Sequence, residues 1–208
     1  IQNYGEYKNI IINNLEKTEA SFMPMQSAHS IDAAKRFSMI DWITRVSYEF
    51  ELTEDSLYCA ISLYDRICKA KIIPDYDSQL YISTALWLSA KLQETLIPSV
   101  LDLVYFCNDQ YKESEFFDCE RKFCSYLNYE LTAPTPYEYL LLMAEELRNG
   151  EIISFAKMFL RVGIFGLEFS MHKPSVVALS CIYLAALCLN EKLISIKEIA
   201  SSINPNEV

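Results

Sequence analysis

The sequence predicts an all-α protein, and three observations carry that expectation. Its 208 residues include only 4 Gly and 7 Pro, too few turn formers for a many-stranded β protein. Long stretches repeat apolar residues at helical spacing. One stretch, Gln79–Glu94 (QLYISTALWLSAKLQE), is apolar on nearly every side of a helical wheel from Leu80 to Leu92. A helix apolar all round has to be enclosed by other elements or by lipid. This run is shorter than the roughly 18–20 residues a bilayer span needs, and Lys91 lies in its last turn. It is expected to be the central helix of a soluble bundle, with its one charge placed where the helix leaves the core.

Composition narrows the function classes. A hydrophobic content of 51% supplies a core easily, and the formal net charge of −10 argues against a nucleic-acid surface, which needs basic patches to neutralise phosphate. The 7 cysteines (Cys59, Cys68, Cys107, Cys119, Cys124, Cys181, Cys188) form no CxxC pair and fall in apolar helical patterns. They read as reduced, buried thiols of an intracellular protein. No signal peptide or membrane span is visible. The chain begins at Ile1 rather than Met and reads as a trimmed fragment.

Residues 2–20 read as a helix with Tyr7, Ile10, Ile11 and Leu15 on one face, docked on a body formed elsewhere. An irregular stretch holding Pro24 and His29 follows. Ser30 or Asp32 can cap the next helix, which runs to about Phe50 with Phe37, Ile40, Ile43, Val46 and Phe50 at helical spacing. Thr53 is an N-cap, with Glu54 and Asp55 in the first turn where the helix dipole favours acids. That helix turns Leu57, Ala60, Ile61, Tyr64 and Ile67 to a core, and a loop with Pro74 leads into the central helix. Ser99 with Asp102 resembles a capping box. From about Ser114 to Leu127, Phe116, Glu120, Phe123 and Leu127 share one face, so Glu120 falls among apolar residues. The first half therefore holds five helices and two misplaced charges, Lys91 and Glu120.

Pro134 and Pro136 mark a linker, after which the pattern starts again, with helices expected at about 137–148, 152–170, 175–190 and 195–203. The segment SVVALSCIYLAALCL is a second central helix. The organisation expected is an N-terminal helix and linker (1–30), a first helical domain (31–133) and a second of similar plan (134–208) that looks one helix short.

No phosphate loop, HExxH or nucleophile elbow is present. His29 and His172 have no recognisable catalytic partner, so no enzyme, metal site or cofactor is expected.

Six motifs then become specific: RFSMIDW (36–42), LYDR (63–66), LSAKLQE (88–94), NDQY (108–111), the Glu120 helix and NYELTAPTP (128–136). In this order and spacing the chain resembles the cyclins, and within them the mitotic A/B type, from about residue 4 to 190. The resemblance implies two tandem five-helix cyclin-box bundles, the second truncated, with the 79–94 helix central to the first. It implies that Arg36 and Asp65 form an internal structural salt bridge. Lys91 and Glu120 match the charged pair at which cyclins grip a cyclin-dependent kinase, with Leu92, Cys124, Tyr129 and Leu131 as the apolar surround. Equally, Lys91 and Glu120 could pair with each other and staple two helices. The chain would be a regulatory, activating subunit controlling cell-cycle progression (G2/M or S type), nuclear and cytoplasmic, without nucleic-acid or membrane partners. Kinase substrates or inhibitors would dock on a first-helix patch where Met39, Trp42 and Gln79 are in place. Lys35, Ser38, Arg45 and Ser78 depart from the apolar or, at Arg45, acidic residues usual there, so the patch is expected to be weakened or retuned. Gln93 replaces a glutamate common in the family. The competing readings are a cyclin-box transcription factor, which the acidic balance disfavours, and an orphan helical scaffold.

Overall fold

Asp32 opens the first folded unit, its side chain accepting the Ala34 backbone N–H at 3.1 Å. The computed structural model describes residues 4–22, 32–70, 77–147 and 149–190; Ser30, the Pro24–His29 stretch and the Pro74 loop lie outside them. Among the described residues all regular structure is helical: α1 Tyr4–Ser21, α2 Ala33–Glu49, α3 Glu54–Ala70, α4 Ser78–Gln93, α5 Val100–Phe106, α6 Glu113–Tyr126, α7 Pro136–Leu147, α8 Gly150–Gly163 and α9 Pro174–Cys188. A short 3-10 helix spans Leu167–Met171. Two compact units result. One comprises Met25–Ala133 with Phe165–Met171, the other Ile1–Pro24, Pro134–Ile164 and His172–Val208.

In the first unit α4 is the axis, with α2, α3 and α6 packed on it. Every residue from Leu80 to Ala90 is buried. Its polar side chains survive there because each finds an acceptor: the Ser83 and Thr84 hydroxyls donate to the carbonyls of Gln79 (2.6 Å) and Leu80 (2.7 Å), and Ser89 donates to the carbonyl of Ser56. The expected inner face of α3, Leu57, Ala60, Ile61, Tyr64 and Ile67, is buried. Ser99 and Asp102 close a full capping box on α5, with Ser99 N–H to Asp102 at 2.9 Å and Asp102 N–H to Ser99 at 3.2 Å.

In the second unit α7, α8 and α9 pack together. Asn149 caps α8, and Pro174 stands at the first turn of α9, where its missing N–H costs nothing. The helix expected over 152–170 is instead broken: α8 ends at Gly163, and Phe165–Met171 belongs to the first unit. Gly163 and Gly166 each weaken a helix by about 1 kcal/mol. The carbonyls of Phe165 and Gly166 also have a better partner than a helical amide, because both accept from Arg36 (3.4 and 3.2 Å) while Phe165 packs on Phe37 at 5.2 Å. The helix expected at 195–203 lies outside the described residues.

α1 also departs from expectation. Ile10 and Ile11, assigned to its docking face, are 55% and 38% exposed, whereas Glu19 is buried. The Tyr7 side chain is outside the described residues. Glu19 anchors the helix because both carboxylate oxygens are satisfied at the start of α9, by the Ser175 N–H and hydroxyl at 2.8 Å each. An acid at a helix N-terminus gains from the dipole as well.

Candidate functional site

The exit of α4 builds the site. After the buried run ending at Ala90, Lys91 and Leu92 emerge, Leu92 at 43% exposure. Lys91 Nζ lies 2.6 Å from Glu120 Oε1, with both side chains half-buried. It also sits 3.3 Å from the centroid of the Trp87 ring, one turn back on α4. Trp87 is fixed in turn, because its indole N–H donates to the Pro98 carbonyl at 3.1 Å and its ring packs edge-on against Phe117 at 5.6 Å. Glu120 reaches the pair because Phe116 and Phe123, on the same face of α6, are fully buried against the core. The two charges placed oddly by sequence thus meet, and the pairing weighed as an alternative is present.

Cys124 is half-buried one turn beyond Glu120. Burial pushes its thiol up, the Glu120 carboxylate adds to this, and Lys91 opposes it. Below Cys124 the chain turns sharply, with Tyr129 N–H donating to the Cys124 carbonyl at 2.8 Å. Asn128 (φ 50°) and Tyr129 (φ 64°) are both left-handed, a conformation that asparagine tolerates but that costs a residue such as Tyr129 roughly 1–2 kcal/mol. The turn leaves Tyr129 78% exposed and Leu131 half-buried. Lys91, Leu92, Glu120, Cys124, Tyr129 and Leu131 therefore belong to the α4 end, to α6 and to the turn that follows α6.

Three residues near this surface carried no assigned role from the sequence. Trp87 is hidden in an apolar run, and only its indole N–H hints that it needs a partner. Arg66, next to Asp65 on α3, donates to the carbonyls of Glu130 and Leu131. Glu94, capping α4, accepts from the Thr53 N–H and hydroxyl (2.7 Å each) and from the Ser56 hydroxyl (2.6 Å), tying the end of α4 to the start of α3. Burial alone pushes the Glu94 carboxyl up, but the bonds from Ser56 and Thr53 outweigh it and hold it below the ordinary range.

Arg36 is buried to 1% exposure. Its Nε and Nη2 each donate to Asp65 at 2.8 Å, a two-pronged pair joining α2 to α3. Of the residues expected to form a docking patch on the first helix, Met39, Trp42 and Gln79 are half-buried, and exposed Arg45 pairs with Asp41. Ser78 does not belong to that patch. It is buried to 2% exposure at the start of α4, where it hydrogen-bonds the Tyr64 phenol. Among the described residues no cluster of His, Cys, Asp or Glu is arranged to hold a metal.

A charged pair with aromatic backing, with exposed Leu92 beside it on α4 and half-buried Cys124 one turn beyond Glu120, has the make-up of a protein-binding hot spot. Against that geometry, the family model described as the cyclin N-terminal domain matches residues 10–132, more than half of the chain. The chain belongs to the cyclin family. The cyclin C-terminal domain model matches residues 134–200 as well. Similar proteins include Cyclin-B1-3 of Arabidopsis thaliana, 30% identical over 170 residues, covering 81% of this chain and 41% of that one. The G2/mitotic-specific cyclin-B3 of Gallus gallus is 28% identical over 190 residues, covering 89% and 47%. This cyclin chain thus spans less than half the length of those relatives. A viral cyclin from herpesvirus saimiri shares the fold at TM-score 0.79 and 14% identity, over 93% of this chain and 88% of that one. A chain of the CAK complex from Chaetomium thermophilum, solved with ATP-γ-S, aligns at TM-score 0.57 and 17% identity over 83% and 60%. All-α tandem cyclin architecture, expected from sequence, is what the fold has.

Proposed function

We propose that this cyclin is the activating subunit of a cyclin-dependent kinase and that the Lys91–Glu120 surface is where the kinase is held. The observation that carries the reading is the pair itself. It is half-exposed at the end of the most buried helix and backed by Trp87. Leu92 is next to it on α4, Cys124 lies one turn beyond Glu120, and Tyr129 and Leu131 are in the chain that follows α6. A kinase loop that borrows hydrogen bonds from both charges while covering those apolar groups would gain from burial and from orientation together. The rigid first unit would then hold the kinase's αC helix inward, so that the kinase's own Lys–Glu ion pair forms and its activation loop opens. The chain performs no chemistry in this scheme. Its differential affinity for the active kinase shifts the kinase's population.

The finer assignment follows the relatives. B-type and A-type cyclins among them, one of them G2/mitotic-specific, favour a G2/M or S role. Nuclear and cytoplasmic residence is part of the same proposal and rests on the family resemblance alone. Met39, Trp42 and Gln79 form a substrate- or inhibitor-docking patch weakened by Arg45. Co-purification with a cyclin-dependent kinase, followed by phosphorylation of a histone-type substrate, tests the reading. Activation by the wild type, lost in Lys91→Ala/Glu120→Ala, is the expected result. A wild type that activates no such kinase sinks the functional reading and leaves an orphan scaffold.

A further inference from the structure

The turn that presents Tyr129 and Leu131 carries backbone strain at Tyr129, a bulky residue in the left-handed region. Two successive non-glycine residues, Asn128 and Tyr129, are left-handed, and Tyr129 is mostly in solvent, so little side-chain packing holds it. The end of α6 supplies two bonds, from Tyr129 N–H to the Cys124 carbonyl and from Glu130 N–H to the Leu127 carbonyl. Past Glu130 the chain enters an irregular stretch up to α7. There the next two carbonyls, of Glu130 and Leu131, are met by a single group, the Arg66 guanidinium, reaching across from α3. A planar fork can span two consecutive carbonyls, whereas a lysine ammonium offers a point charge on a flexible stem.

We infer that Arg66 is a positioning residue for the kinase-facing turn. It fixes the backbone at 130–131, so that Tyr129 and Leu131 stand pre-arranged beside Lys91 and Glu120 without Arg66 itself touching the partner. Pre-arrangement lowers the ordering cost of association. The inference rests on the kinase-binding reading given above, and its first test does not need the kinase. Free wild-type chain should show protected amides at Tyr129 and Glu130. Arg66→Met, which keeps the stem, and Arg66→Lys, which keeps the charge, should each raise exchange there by about tenfold, with α4 amides unchanged. Affinity for the kinase that the wild type activates should fall about tenfold in Arg66→Met. In a Tyr129→Ala/Leu131→Ala background the same substitution should cost little, because both positioned contacts are gone.

A merely structural arginine would lower stability while leaving affinity per folded molecule unchanged, and that outcome overturns the inference. So does unchanged exchange at the turn, an equal affinity loss in both backgrounds, or an Arg66→Lys variant indistinguishable from wild type. If exchange responds but the wild type engages no cyclin-dependent kinase, the functional reading has failed and the positioning role falls with it.

Discussion

Lys91 Nζ stands between two partners, 2.6 Å from Glu120 Oε1 and 3.3 Å from the Trp87 ring centroid. The carboxylate and the ring together hold a flexible side chain in one orientation at the mouth of α4. In a half-exposed pair this contributes little to stability, about 0–1 kcal/mol. On the proposed reading, its value lies in presenting oriented charge to the kinase.

That difference separates two measurements. Lys91→Ala with Glu120→Ala should abolish kinase activation while unfolding free energy in urea drops by no more than about 1 kcal/mol and helicity is retained. A double variant that activates normally would show the site to be elsewhere.

Arg36 belongs to the opposite regime. It is buried, doubly bonded to Asp65, and also serves the carbonyls of Phe165 and Gly166. Arg36→Ala strands a carboxylate and two carbonyls, and equilibrium denaturation should record a loss of about 3–5 kcal/mol. A loss below about 1 kcal/mol, the value of a surface pair, would contradict the burial argument.

Glu94 links stability to pH. Its folded pKa is lowered, so the folded state holds the ionised form better than the unfolded chain does. The resulting stability is complete above the ordinary glutamate pKa of about 4.3 and is lost as pH falls through the depressed folded value. The stability gap between wild type and Glu94→Gln should be open at neutral pH and narrow below about pH 4. A gap that widens on acidification would reverse the sign argued here.

Thiol reactivity should single out one cysteine. All seven are free; Cys188 is exposed and Cys124 half-buried, correcting the expectation that every thiol is buried. Burial pushes Cys68 up to about 12 and Cys181 up to about 11, so both remain as inert thiols near neutrality. Native-state titration with an aromatic disulfide reagent should give one fast equivalent that disappears in Cys188→Ser. Several fast equivalents would mean the helices open more readily than their packing implies.

The first-helix patch should discriminate by charge. Exposed Arg45, paired among the described residues with its own neighbour Asp41, should repel the basic residue of an Arg-x-Leu peptide, and Arg45→Glu should strengthen binding. Wild-type affinity at about the micromolar level or tighter would refute a weakened patch.

Much of this was legible before folding. The all-round apolarity of 80–92 is a local property, and it placed α4 at the centre. The capping pair Ser99–Asp102 is decided within a few residues, so its spacing sufficed, whereas the cap of α2 stayed open between Ser30 and Asp32 until the fold showed Asp32. Helical period alone put Glu120 on the inner face of α6 and Lys91 at the exit of α4. Motif order pointed to the cyclin family.

Other features rest on contacts between distant parts of the chain, which no local period encodes. Only packing shows that Lys91 meets Glu120, that Trp87 backs them, and that Arg66 of α3 holds carbonyls some 65 residues later in the chain. Ser78 looked like a surface position until α3 covered it. The 152–170 pattern reads as one helix because both its halves are apolar. Yet Arg36 draws the Phe165 and Gly166 carbonyls out of that path into the first unit. Periodicity reports which face of a helix is apolar, and the identity of what that face meets is settled only when the buried polar groups find their partners.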